Sequence, residues 1–108
     1  MLAGKYRLKV GEYFGVGAPK PARIIKKPLF SIKIYASGLN LMRCGVVIGK
    51  GLDKRASARN LVKRAIFDAF ASQISHLVPA DYLFIPSSGM ARLTRREIME
   101  TIKTGIGL

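Results

Sequence analysis

What most restricts the fold of this chain is one long stretch, residues 54–76, whose apolar positions recur at helical spacing. Val62, Ile66, Ala69, Phe70, Gln73 and Leu77 fall on one face at intervals of three, four and seven, which predicts a helix closed by Pro79. A helix with one apolar stripe must be covered. Candidate strands lie on either side of it. Residues 29–36 alternate, with Phe30, Ile32 and Ile34 toward one face and Ser31, Lys33 and Tyr35 toward the other, as a half-buried strand does. Residues 43–48, RCGVVI, are a second β-rich run, ended by Gly49 and Gly51. With the turn residues Ser37, Gly38 and Asn40 between them, the two runs are expected to pair as a hairpin. Residues 81–85, DYLFI, form another short strand, stopped by the loop at residues 86–89. Thr94 and Glu97 have the spacing of a capping box, in which hydroxyl and carboxylate each satisfy an orphan amide. The helix they open carries Ile98 and Ile102 and frays at Gly105 and Gly107. Residues 1–28 are interrupted by seven glycines and prolines, leaving an irregular segment with a short helix expected at 8–14 and room for a strand at 23–27. The expectation is one α+β domain spanning residues 1–108, a sandwich of helices on a mainly antiparallel sheet.

Charge then narrows the partners. Lys and Arg number 19 against 6 Asp and Glu, a net charge of +13, while 49% hydrophobic residues are too many for a disordered basic tail. Between residues 50 and 64 stand six cations (Lys50, Lys54, Arg55, Arg59, Lys63, Arg64) and one anion, Asp53. Such a concentrated footprint points to nucleic acid. Membranes are a poor alternative. Residues 69–80 are uncharged but too short and polar to span a bilayer, the long helix needs its apolar face for a core, and MLAGKYRLKV has no apolar run to make a signal peptide. A single cysteine, Cys44, excludes an internal disulfide, so a cytoplasmic location is expected and the thiol reads as core.

On the long helix the cations are ordered. With Arg59 at zero, Lys63 falls at about 40°, Asn60 at about 100° and Arg64 at about 140°, against an apolar face centred near 320°. Arg55, Lys54 and Lys50 extend this flank past the helix start. Guanidiniums at turn spacing can grip successive phosphates, and an asparagine among them can read a ribose or base edge. Cations so near a helix start oppose its dipole, which a docked anion would relieve. Lys33 and Tyr35, on the polar face of their strand, suit a cleft for single-stranded nucleic acid, where stacking and positive charge suffice. No catalytic cluster is visible, because Asp53, Asp68, Asp81, Glu97 and Glu100 are scattered and His76 stands alone. Gly45, Gly49 and Gly51 are not followed by the GK[ST] of a phosphate loop, so nucleotide hydrolysis is unsupported; the expectation is a protein with no metal site of its own and no small-molecule substrate.

KGLDKRASARNLVKRAIFDAF, residues 50–70, resembles the signature of the bacterial ribonuclease P protein, K-K-x-x-K-R-A-x-x-R-N-R-x-K-R-x-x-R-E-x-F. Arg7 and Leu8 with Phe14 resemble that family's opening R-L-x-x-x-x-x-F, and RCGVVIGK, DYLFI and LTRREI resemble its later strands and helix. The resemblance implies a ribosomal S5 domain 2-like fold bound to ribonuclease P RNA, a ribozyme that removes 5′ leaders from precursor tRNA with Mg²⁺ bound mainly by the RNA. It implies that Lys50, Lys54, Arg55, Arg59, Asn60, Lys63 and Arg64 face RNA, that the protein supplies no catalytic residue, and that Phe14 stacks on the leader.

Departures from the signature are specific. Gly51 replaces a lysine, Leu61 an arginine, Phe67-Asp68 an Arg-Glu pair, and GVGAPK lacks a second aromatic after Phe14. Packing beneath the sheet is the other reading of Phe14. A structural RNA-binding protein of ribosomal type would share the size, charge and fold without any part in cleavage, and composition does not separate the two.

Overall fold

The chain alternates its elements so that one sheet receives both helices on a single face. The computed structural model describes residues 4–13, 17–36, 38, 40–48, 52–73 and 77–105. Strands β1 (Arg23–Lys26), β2 (Phe30–Tyr35) and β3 (Arg43–Val46) precede helix α1 (Ala56–Ser72), which is followed by β4 (Asp81–Pro86) and helix α2 (Arg95–Gly105). The sheet order is β1-β2-β4-β3, with β2 antiparallel to both β1 and β4, and β3 parallel to β4.

This order corrects the hairpin expected between residues 29–36 and 43–48. β4 lies between them, and β3, α1 and β4 form a crossover unit instead. The reason is visible in β4 itself: Asp81, Tyr82, Leu83 and Phe84 are all buried, and a strand buried on both faces belongs at the centre of a sheet. β3 therefore goes to one edge and β1 to the other.

Tyr82 and Phe84 of β4, Phe30 and Ile32 of β2, and Cys44 and Val46 of β3 share the helical side with Val62, Ile66, Phe70, Ile98 and Ile102. Phe30 and Phe84 stack at 4.7 Å, and Phe70 meets Phe84 edge-on at 6.0 Å. Full burial of each such side chain is worth roughly 1.5–3 kcal/mol, which is where α1 derives its stability.

α1 is shorter than residues 54–76. Arg55 N–H donates to Asp53 Oδ1 at 2.8 Å, and Arg55 remains extended as the N-cap residue, so helical geometry begins at Ala56. At the other end Gln73 N–H donates to Phe70 O, closing the last turn; His76 lies outside the described residues. The capping box of α2 forms as read: Thr94 N–H donates to Glu97 Oε1 at 2.9 Å and Glu97 N–H to Thr94 Oγ1 at 3.2 Å. These bonds hold the Glu97 carboxyl below its ordinary range. Arg95 ties α2 to α1 through Asp68 at 2.6 Å.

In place of the short helix at 8–14 the chain makes two 3-10 turns, Gly4–Tyr6 and Val10–Tyr13. Between them Leu8 N–H donates to Cys44 O at 3.0 Å, and Arg7 bridges to the outer edge of β3. This segment crosses the sheet face opposite the helices. It does so over Gly45, where an added Cβ would stand 2.9 Å from Val10 Cγ2 and 3.0 Å from Leu8 Cβ. Half of that face is thereby covered. The rest, toward β1, carries Ile24, 47% exposed, with Lys26, Ser31 and Lys33 beside it in register.

Candidate nucleic-acid interface

The face of α1 turned from the core presents Ser57, Asn60, Leu61, Lys63 and Arg64, all exposed. Asn60 and Arg64, one turn apart, form a ridge between two shallow concavities. One is bounded by Ser57, Asn60, Leu61 and Arg64. The other, about 200 Å³, is bounded by Arg7, Asn60, Lys63, Arg64 and Phe67. Lys63 and Arg64 enter no ion pair among the described residues. Their charge is therefore available to phosphate.

The cations at the helix start behave differently. Arg55 is exposed but bound to Asp53, with Nε to Oδ1 and Nη2 to Oδ2 each at 3.2 Å. Arg55's side-chain hydrogen bonds lower the Asp53 carboxyl and raise the guanidinium in turn. Arg59 folds back, and its Nη1 donates to the carbonyls of Asp53 and Lys54 at 3.0 Å each. Two arginines expected to grip phosphate thus also brace the loop from which the helix starts. Lys54 is exposed beside them, and Lys50 lies outside the described residues.

Leu61, 45% exposed, occupies the same outward face, so the missing arginine leaves an apolar spot within the cationic surface. At Phe67 the ring in place of the arginine has a cationic neighbour. The Arg7 guanidinium stacks over the Phe67 ring at 5.1 Å from its centroid, bringing a cation to that position from the N-terminal segment. Arg7 was legible in the sequence as part of the opening motif, but nothing local placed it against the helix.

Lys33 is half-exposed on the sheet face away from the helices, paired in register with Ile24 and Leu83. Tyr35 corrects the expectation of an outward ring. It is 4% exposed, because Tyr13 packs edge-on against it at 4.8 Å. Burial pushes the Tyr35 phenol up. Phe14 follows Tyr13 in the chain and lies outside the described residues. Cys44 is fully buried, and burial pushes its thiol well above the ordinary range, so it is core rather than a nucleophile. Among the described residues no group of three or more His, Cys, Asp and Glu side chains could hold a metal ion.

Sequence reasoning missed Tyr13, Arg43 and Asp81. Arg43 Nε and Nη2 donate to Asp81 Oδ1 and Oδ2 at 2.8 and 2.7 Å, and the Tyr13 hydroxyl donates to Oδ2 at 2.7 Å. The one available signal was an acid at the head of an otherwise apolar strand, in a chain with few acids.

A family model described as Ribonuclease P matches residues 2–107. The chain belongs to the ribonuclease P protein family. A ribonuclease P protein component from Xanthomonas campestris pv. campestris (strain B100) is 32% identical over 79 residues, covering 73% of this chain and 53% of that protein. The chain thus matches about half the length of this relative. A ribonuclease P protein component from Blochmanniella floridana is 29% identical over 98 residues, covering 89% of this chain and 79% of that one. Among solved structures, the Staphylococcus aureus RNase P protein superposes with a TM-score of 0.78 at 22% identity, covering 94% of this chain and 92% of that chain. That likeness establishes the ribonuclease P protein fold for this α+β domain.

Proposed function

We propose that this chain is the protein subunit of a ribonuclease P ribonucleoprotein, which removes the 5′ leader from precursor tRNA endonucleolytically. The observation that carries the reading is the exposed face of α1, where Asn60, Lys63 and Arg64 meet Arg7 from the N-terminal segment. The exposed cations Lys63 and Arg64, with Asn60 one turn before Arg64, suit the backbone of a folded RNA. This surface would face the ribonuclease P RNA. The open half of the sheet, with Lys33, Lys26 and exposed Ile24, would receive the leader, and Phe14 would stack on it.

Mg²⁺ would be held by the RNA and supply the activated water there. The described residues offer no donor cluster for it, and the protein's part is to bind and orient. A cytoplasmic site of action accords with the fully buried, unpaired Cys44. No helix is long and apolar enough to cross a membrane among the described residues.

The test is reconstitution of the chain with a bacterial ribonuclease P RNA and precursor tRNA at low Mg²⁺. Faster production of mature 5′ ends is expected, with no cutting by the protein alone. If binding occurs without faster cleavage, the protein is a structural RNA binder of ribosomal type.

A further inference from the structure

Asp81 is the one buried charged residue among those described, at 3% exposed. Both of its oxygens accept hydrogen bonds, Oδ1 from Arg43 Nε and Oδ2 from Arg43 Nη2 and the Tyr13 hydroxyl. Arg43 and Asp81 are also register partners across β3 and β4, so this ion pair belongs to the sheet. Tyr13 comes from elsewhere. It reaches Asp81 across 68 positions of sequence from a segment that has no α-helix and buries Leu8 alone of its described side chains. Among the described residues, the segment is tied to the edge of β3 by Leu8, whose N–H donates to Cys44 O. Tyr13 ties its far end to β4.

Tyr13 packs edge-on against Tyr35, at an interplanar angle of 63°. Tyr35 and Lys33 project from the same face of β2 two residues apart, roughly 7 Å along the strand. The phenol thus stands beside the open half of the sheet, where the covered half ends.

We propose that the Tyr13–Asp81 hydrogen bond is a positioning device, holding the N-terminal segment so that Tyr13 walls the channel for a single-stranded 5′ leader and supports selectivity for leader-bearing RNA. The proposal rests on the leader-site reading given above. Tyr13 is a positioning residue, with no part in bond cleavage. Burial, with the Asp81 hydrogen bond second, pushes its phenol up to about 12, so the hydroxyl remains a donor throughout the neutral range. Arg43 holds Asp81 independently. Removing the Tyr13 hydroxyl therefore leaves the carboxylate paired and the sheet intact.

The experiment uses Tyr13→Phe and Phe14→Ala proteins, each assembled with a bacterial ribonuclease P RNA. Equilibrium binding is measured for precursor tRNA with a leader and for the same tRNA without one. Tyr13→Phe should reduce the preference for the leader-bearing RNA by about tenfold, the low end of what one hydrogen bond to a charged acceptor is worth. Affinities for leaderless tRNA and the ribonuclease P RNA should stay within about twofold, and Tm should hold, as a purely structural role would not predict. Preserved preference in Tyr13→Phe with lost preference in Phe14→Ala overturns the positioning role and leaves the leader site standing. Preserved preference in both overturns the leader site, and this proposal with it. Equal loss for both RNAs in Tyr13→Phe makes the contact one of general stability and also overturns the proposal.

Discussion

Replacing cations along α1 separates those free to meet phosphate from those already engaged. Lys63 and Arg64 are exposed and without an ion pair among the described residues, whereas Arg55 lies 3.2 Å from Asp53. Each cation that neutralises a phosphate adds about 0.7–0.9 to the slope of log affinity against log salt, the lower figure for single strands. Over the fourfold range from about 50 to 200 mM salt, one lost contact makes binding roughly 2.6- to 3.5-fold less salt-sensitive. Lys63→Ala with Arg64→Ala should therefore remove roughly seven- to twelvefold of the salt effect. Arg55→Ala should flatten the slope less than Lys63→Ala, because a guanidinium already held by Asp53 has fewer donors left for a phosphate contact of its own. The assay is filter binding to the ribonuclease P RNA across that range, with Tm measured alongside. A slope unchanged in the Lys63, Arg64 double variant refutes the placement of RNA on this face. Equal flattening by Arg55→Ala and Lys63→Ala refutes the distinction between free and engaged cations.

Two further predictions concern the segment that crosses the sheet. Tyr13, Tyr35 and Tyr82 have phenols raised from the ordinary value of 10.0, all chiefly by burial and Tyr13 to about 12. The folded protein releases these protons later than the unfolded chain, so their stabilisation is complete below about pH 10 and is lost as pH rises through the folded values. Alkaline absorbance titration should show a phenol ionising near pH 12 that Tyr13→Phe deletes; superimposable curves would exclude Tyr13 as its source. Gly45→Ala should destabilise the fold by about 1–2 kcal/mol, because the new methyl presses on Val10 and Leu8. Limited proteolysis should then cut the N-terminal segment sooner, and unchanged cutting with an unchanged Tm would show that the segment does not lie tight against β3.

Local patterns were readable wherever one element decides its own geometry. Val62, Ile66, Ala69 and Phe70 mark the buried stripe of α1 because a surface helix buries one stripe, and Thr94 with Glu97 announces α2 because a cap is satisfied within one turn. Pairing of β2 with β3 looked favourable from the turn between them, yet the neighbour of each is settled by β4, which arrives after α1. The continuous apolar run Tyr82–Leu83–Phe84 was the clue to a central strand. Helical spacing put Arg55 and Arg59 on the cationic flank, but the carboxylate and carbonyls that engage them sit in the preceding loop. Tyr35 alternated correctly; what covers it lies in a segment too broken by glycine and proline for any period to show. Arg7 and Tyr13 act across more than half the length of the chain, and no short-range pattern records such contacts.

The stacking of Arg7 on Phe67 changes how kinship along this helix should be judged. Column by column, an aromatic in place of a basic residue scores as a lost contact, although the molecular surface there still presents a guanidinium. Arg7 belongs to the opening motif of the family, so the aromatic at the helical site gives that arginine a flat surface to rest on, and losing either side chain would uncover the other.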